Sequence, residues 1–233
     1  MPPTKPSTPR ILEAESLPIE SAGTGLPLVR EALLTADGLR ARFGQTLEWT
    51  QEPPEDRIKA LGGDPRVAAV LVPLVLREGG LTVLLTQRAL HLSTHAGQIS
   101  FPGGRYEPED VDAAATALRE AQEEVGLASK HVEVLGELPE YLTGTGFRVT
   151  PVVALVHPPF ELQADALEVA EIFEVPFAFL MNPANHQIRV FRWEGGERRF
   201  FAMPFTPKEN TAPYFIWGAT AGMLRNFYRF LAA

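Results

Sequence analysis

The sequence predicts an α+β fold of stacked layers around a mixed sheet. Two apolar segments, VAAVLVPLVL from Val67 and LTVLLTQR from Leu81, flank the Glu78-Gly79-Gly80 turn and read as a hairpin of buried strands. A carboxylate-crowded helix follows, running towards Gly126. The later strand and helix patterns lack the regular alternation of a doubly wound parallel sheet.

The 233 residues, 45% of them hydrophobic, suit one globular domain, or one domain with an extension. Residues 1–35 read as a flexible Pro-rich tail, with little fixed structure expected up to about residue 30. Residues 36–64 read as a short helix, around Ala36 to Phe43, and a linker. Residues 65–233 form the main domain. Beyond the hairpin and the acidic helix, strands are expected at HVEVLGEL and VTPVVALV, and a short helix from Ala166 to Phe173. A second hairpin joins HQIRVFRW to RRFFAMPF through Gly195-Gly196, and a helix from Gly218 to Leu231 closes the chain. No internal repeat is present.

Composition narrows the function. There are no cysteines, which excludes disulfides, thiolate metal sites and cysteine nucleophiles. No run of about 18 apolar residues is present, so no membrane span is expected. The first ten residues, MPPTKPSTPR, lack the apolar core of a signal peptide, and the expected location is the cytoplasm. A formal charge of −8 argues against binding nucleic-acid backbones. It does not exclude a phosphate ligand bridged by a metal ion.

The stretch FPGGRYEPEDVDAAATALREAQEEVGL, Phe101 to Leu127, poses the functional question. Asp110 or Asp112 can cap its helix and Gly126 can end it in a left-handed conformation. Ala114, Ala117, Leu118, Ala121 and Val125 make one apolar stripe. Glu120 and Glu124 lie one turn apart along the edge of that stripe, with Glu123 beside them towards Arg119. One reading is a solvated acidic face. Against it, like charges at i, i+4 repel and late glutamates oppose the helix dipole. The other reading is a divalent-cation site, because magnesium prefers carboxylates together with substrate phosphates. Pro102-Gly103-Gly104 allows the close backbone approach that a phosphate site needs, although Pro-Gly-Gly is also simply a tight turn.

These residues resemble the Nudix hydrolase superfamily, whose box is G-x5-E-x7-R-E-U-x-E-E-x-G-U, with U a bulky apolar residue. Arg119-Glu120-Ala121-Gln122-Glu123-Glu124-Val125-Gly126-Leu127 fits the second half, with Ala121 a small U. In the first half, Asp110 takes the place of the glutamate and Gly104 is one residue too far from Arg119, a one-residue insertion in the loop. LLTQRALHLSTHAGQISFPGG, Leu84 to Gly104, is similar to the coenzyme A diphosphatase signature LLTxR(S/A)x3Rx3Gx3FPGG. Leu84, Leu85, Thr86, Arg88, Ala89, Gly97 and Phe101 to Gly104 match, and Ser93 stands where the signature has arginine. The similarity runs from about Val67 to the C-terminus.

The resemblance implies a Nudix α/β/α sandwich that splits the diphosphate of coenzyme A, free, acylated or oxidised, into 4′-phosphopantetheine and 3′,5′-ADP. It implies Mg²⁺ or Mn²⁺ as cofactor. The ligands would be Glu120 and Glu124, with Glu123 adjacent and the Gly104 carbonyl assisting. Glu123, Arg119 and Glu168 form the catalytic set. Arg119 acts by orienting a glutamate, and Glu168 stands where some Nudix enzymes keep a base. Arg88, His95, Gly97, Phe101, Gly103 and Gly104 are the expected substrate contacts. Some of these have plainer alternatives. Arg88 can form a structural salt bridge, Glu168 can stabilise a helix dipole, and His91 with His95 can be taken for a zinc pair without a third ligand. Trp217 and Phe215 fit the core better than an adenine-stacking role. Two other functions remain open: a Nudix hydrolase of another nucleoside diphosphate such as ADP-ribose, and a non-catalytic nucleotide-binding regulator. The expected partner is a small nucleotide, not nucleic acid or a membrane. The oligomeric state is open, with a homodimer as one option.

Overall fold

The computed structural model describes residues 11, 13–52, 65–92, 94–208 and 211–233. In chain order the elements are β1 (Ile19–Ala22), α1 (Ala36–Phe43), β2 (Arg66–Arg77), β3 (Gly80–Arg88), β4 (Ile99–Ser100), β5 (Gly103–Arg105) and α2 (Ala113–Val125). There follow β6 (Val132–Glu137), β7 (Tyr141–Leu142), β8 (Phe147–Val156), β9 (Val169–Pro176), α3 (Phe177–Leu180), β10 (Gln187–Trp193), β11 (Gly196–Phe205), β12 (Tyr214–Trp217) and α4 (Gly218–Ala232). None of the described helices is long and apolar enough to cross a membrane.

The expected hairpin is β2 and β3, paired antiparallel from Leu74↔Val83 to Arg77↔Gly80. β2 also runs parallel to β8 over ten residues, which makes the eight-stranded sheet mixed. The sheet forks along β2. Its later residues pair with β3, and its earlier ones, Ala68 to Val70, pair with β5. Pro73 sits between the two partners. The Leu71 N–H, two residues earlier, donates to the Pro102 carbonyl at 2.9 Å. Among the described residues the same edge meets no strand at Pro73, so the N–H that proline lacks costs no ladder bond.

Two cores flank this sheet. On one face Ala113, Ala117, Ala121 and Val125 of α2 pack with Ala69, Leu71, Val75 and Leu84. On the other, Leu224, Phe227 and Leu231 of α4 pack with Val72, Leu74, Leu85 and Val153, together with Met203 and Ile216 of a second sheet. That sheet has the order β1-β10-β11-β12. The layers are therefore helix, mixed sheet, and helix with a small antiparallel sheet.

Three expectations are corrected. Residues Ala166 to Phe173 do not form a helix: Val169 onwards is β9, paired with β3 from Arg88↔Val169 to Thr82↔Pro176. The open edge of β3 can satisfy a whole strand of backbone groups, and this outweighs the local helix propensity of Ala166, Leu167 and Glu168. Part of the expected tail is ordered. β1 pairs with the edge of β10, Arg189 donates to the Glu15 and Leu17 carbonyls, and Val29 and Leu33 enter the core. Residues 1–10 lie outside the described residues. Phe101, expected at the substrate, is 2% exposed and belongs to the α4-side core.

Candidate active site

The site is built where α2 crosses the fork. Asp112 caps α2, accepting from the Ala115 N–H at 2.7 Å, and Gly126 ends it at φ 71°. These local signals set the helix so that Glu120 and Glu124 face β5. The fit there is close. A Cβ on Gly104 would fall 2.3 Å from Oε1 of Glu120, so only glycine lets this carboxylate lie against the strand. The neighbouring Gly103 N–H donates to Oε2 of Glu124 at 3.2 Å.

Arg119 organises the acidic edge. Its Nε and Nη2 donate to the two oxygens of Asp110 at 3.1 and 3.0 Å, and Nη2 also reaches the Arg105 carbonyl at 3.0 Å. Its Nη1 donates to Glu120 and Glu123, both at 3.1 Å. Asp110 further accepts from the Thr116 hydroxyl and the Glu107 N–H. Hydrogen bonds from Arg119 and Glu107 hold its carboxyl well below the usual range. Motif spacing alone did not settle what Asp110 does. The one-residue insertion is absorbed before the helix, where Val111 is exposed, and Asp110 still meets Arg119.

The loop after β8 places the next group. The Gln163 and Asp165 N–H groups donate to the Val125 and Glu124 carbonyls, capping the last turn of α2. The Ala89 N–H donates to the Glu168 carbonyl, and His91 Nε2 meets the Leu167 carbonyl at 3.0 Å. Glu168, an exposed residue, is thereby held near enough to raise the pKa of both Glu120 and Glu124. His91 is thus a loop anchor. Arg88, at the end of β3, points its Nη1 at Glu124 from 3.9 Å, and its buried Nε has no hydrogen-bond partner among the described residues.

Not every expected contact is here. His95 and Gly97 line a separate cleft with Gln87, and Ser93 lies outside the described residues. Trp217 and Phe215, expected in the core, line that same cleft, half-buried.

The donors suit a hard divalent cation. Burial pushes the Glu124 carboxyl up to about 7, with repulsion from Glu120 and Glu168 adding to it and the Gly103 N–H and Arg88 opposing. Burial also raises Glu120, against the pull of Arg119. Two enclosed carboxylates thus face each other with too little positive charge, the deficit a cation fills. Among the described residues no three or more His, Asp or Glu side chains converge as a self-sufficient cage. Magnesium needs none, because it completes its shell with water and substrate phosphate.

The profile of the NUDIX domain matches residues 65–193, which takes in the fork, α2 and the loop carrying Glu168. The chain belongs to the Nudix family. The Escherichia coli K12 protein named uncharacterized Nudix hydrolase NudL is 43% identical over 162 residues, covering 69% of this chain and 80% of that protein. The Salmonella dublin NudL is 44% identical over 194 residues, covering 82% and 92%. Among solved structures, the Mycobacterium smegmatis Nudix hydrolase RenU is similar at 27% identity and a TM-score of 0.42, covering 49% of this chain and 73% of RenU. A MutT/nudix family protein of Enterococcus faecalis is similar at 18% identity, also with a TM-score of 0.42, covering 83% and 68%. In Nudix terms, the box helix is α2 and the box glycine is Gly104. The family's first glutamate is here Asp110, bound to the box arginine.

Proposed function

We propose that this Nudix protein hydrolyses the diphosphate of coenzyme A to 3′,5′-ADP and 4′-phosphopantetheine, with Mg²⁺ or Mn²⁺ as cofactor. One observation carries the hydrolytic reading: Glu120 and Glu124 packed against the glycines of β5, beside an Arg88 with an unused donor. The choice of coenzyme A rests on the LLTQRA and FPGG segments that frame the site.

Glu120 and Glu124 would hold the metal, with the Gly104 carbonyl beside them. Once bound, the metal would screen the diphosphate charge and lower the pKa of a bound water towards neutrality. Arg119 is a positioning residue: it fixes Glu120 from one side while Asp110 fixes Arg119 from the other. Arg88, whose guanidinium reaches towards Glu124, would donate a charge-assisted hydrogen bond to a phosphate oxygen. Glu168 and Glu123 would accept a proton from the attacking water. Glu168 is held by its loop against Ala89, and Glu123 by Arg119.

The deciding experiment incubates the protein with coenzyme A, ADP-ribose and other nucleoside diphosphates in Mg²⁺ and identifies products by mass. Appearance of 3′,5′-ADP and 4′-phosphopantetheine is the expected result. Turnover of ADP-ribose alone would move the assignment to that substrate, and no turnover of any would leave a nucleotide-binding role.

A further inference from the structure

On the sheet face opposite α2 lies a cleft of about 650 Å³ that the hydrolytic site does not use. Gln87 alternates with Arg88 along β3, so one residue serves the cleft while its neighbour serves the carboxylates. Ile99 of β4 and Phe215 and Trp217 of β12 form its apolar walls, and the segment before β1 contributes Glu13 and Glu15. Tyr214 stacks on Phe173, with ring centroids 3.8 Å apart, and donates its hydroxyl to Glu171 at 2.6 Å.

The polar groups of this cleft are only partly committed. Among the described residues, Gln87 donates its amide NH₂ to the Gly97 carbonyl, at 3.3 Å, and accepts nothing on its own carbonyl. Gln98 meets His95 Nδ1 with its carbonyl, at 2.7 Å, and its NH₂ has no partner among the described residues. An acceptor on Gln87 and a donor on Gln98, both lining the cleft, together complement a secondary amide, whose N–H and C=O need one of each. Charge settles which end of a substrate can enter. Glu13, Glu15 and Glu171 line the cleft, and no Lys or Arg does so among the described residues. A phosphate there would meet repulsion without a partner.

Resting on the coenzyme A reading, we infer that this cleft binds the uncharged pantetheine arm: its two amides, its geminal methyls and its thiol end. The adenosine end carries a phosphomonoester, and the carboxylates exclude it. The wall aromatics cover the methyls, and Gln87 and Gln98 hold an amide.

The test is calorimetric titration of the full-length protein with pantetheine and, separately, with 3′,5′-ADP, for the parent and for Gln87→Leu and Gln98→Leu, each checked by its melting curve. Pantetheine is expected to bind the parent and to bind each variant roughly fivefold more weakly, the loss of one neutral hydrogen bond. Binding of 3′,5′-ADP should change less than twofold. In turnover, both variants should raise KM for coenzyme A roughly fivefold while KM for ADP-ribose, which lacks the arm, changes less than twofold. Pantetheine binding that neither variant alters overturns the inference, as does 3′,5′-ADP binding that both weaken. If the parent binds pantetheine through Gln87 but does not cleave coenzyme A, the hydrolytic reading fails and the cleft assignment stands.

Discussion

Arg119 clasps Asp110 with two parallel hydrogen bonds, Nε to Oδ1 at 3.1 Å and Nη2 to Oδ2 at 3.0 Å, and spends Nη1 on Glu120. Removing Asp110 frees the guanidinium to swing, and Glu120 loses its fixed partner. Asp110→Ala should therefore cut kcat by roughly tenfold or more while the protein still folds, because Glu120, the proposed metal ligand, is no longer ordered. Asp110→Glu should recover most of the rate. Equal turnover in Asp110→Ala and the parent would refute the positioning role.

Metal dependence follows from the two enclosed carboxylates. Chelation by EDTA should abolish hydrolysis, and added Mg²⁺ or Mn²⁺ should restore it. Glu124→Gln keeps the shape and removes the charge, so kcat should fall roughly 10²-fold. Undiminished turnover in chelator would reject the metal reading.

Gly104 gives a sharper geometric test. Its missing Cβ leaves the space that the Glu120 carboxylate occupies, at 2.3 Å. In Gly104→Ala the flexible glutamate moves aside rather than the backbone, so stability should change by less than about 1 kcal/mol. Turnover should fall roughly 10²-fold because Glu120 is displaced. The pair of measurements, melting temperature against kcat, separates this outcome from simple unfolding.

His186 sets a pH limit on stability. Its Nε2 lies 2.6 Å from the Leu180 carbonyl and its Nδ1 faces the Arg225 guanidinium, which leaves no room for a second ring proton. Burial and Arg225 bring its pKa down to about 4, against 6.5 for the free side chain. The folded value is the lower one. Stability is complete above the unfolded pKa, falls once pH drops below about 6.5, and is lost through about 4. This depression is worth up to about 3 kcal/mol. Glu124, raised to about 7 by burial, acts the other way in metal-free protein, so the comparison must be with a variant. His186→Gln keeps a donor and an acceptor without titrating. Its melting temperature should fall less than the parent's between pH 7 and 5, and parallel curves would sink the assignment.

The segment before the domain should matter for stability. Deleting residues 1–22 strips β1 from β10, removes the Glu15 and Leu17 carbonyls that Arg189 binds, and leaves an open sheet edge. A loss of about 2 kcal/mol lowers the melting temperature of a chain this size by about 4–8 °C. An unchanged melt would show that β1 is held too weakly to count.

The parts legible in the sequence are those with a short-range code. The β2–β3 hairpin, α1, the β10–β11 hairpin and α4 follow from periodicity and glycine turns, and α2 from its apolar stripe, the Asp112 cap and Gly126. The pairing of Glu120 with Glu124 follows from 3.6 residues per turn. The strand β9 did not follow, since its neighbour β3 is more than 80 residues away and helix propensity favoured the wrong answer. The strands β1 and β12 are short, and each is stable only against an edge made elsewhere in the chain.

By itself, then, the sequence determined the layered α+β class, the acidic helix and the glycines in front of it, because each depends on residues within a few turns of one another. Only the tertiary structure decided that Asp110 meets Arg119 and that Glu168 comes near enough to act on the carboxylates. It also put Phe101 in the core and opened a cleft on the far face for His95 and Gly97. These depend on which strand edge was free to accept a partner and which face of β3 each side chain took, and both are set by the packing of the whole chain.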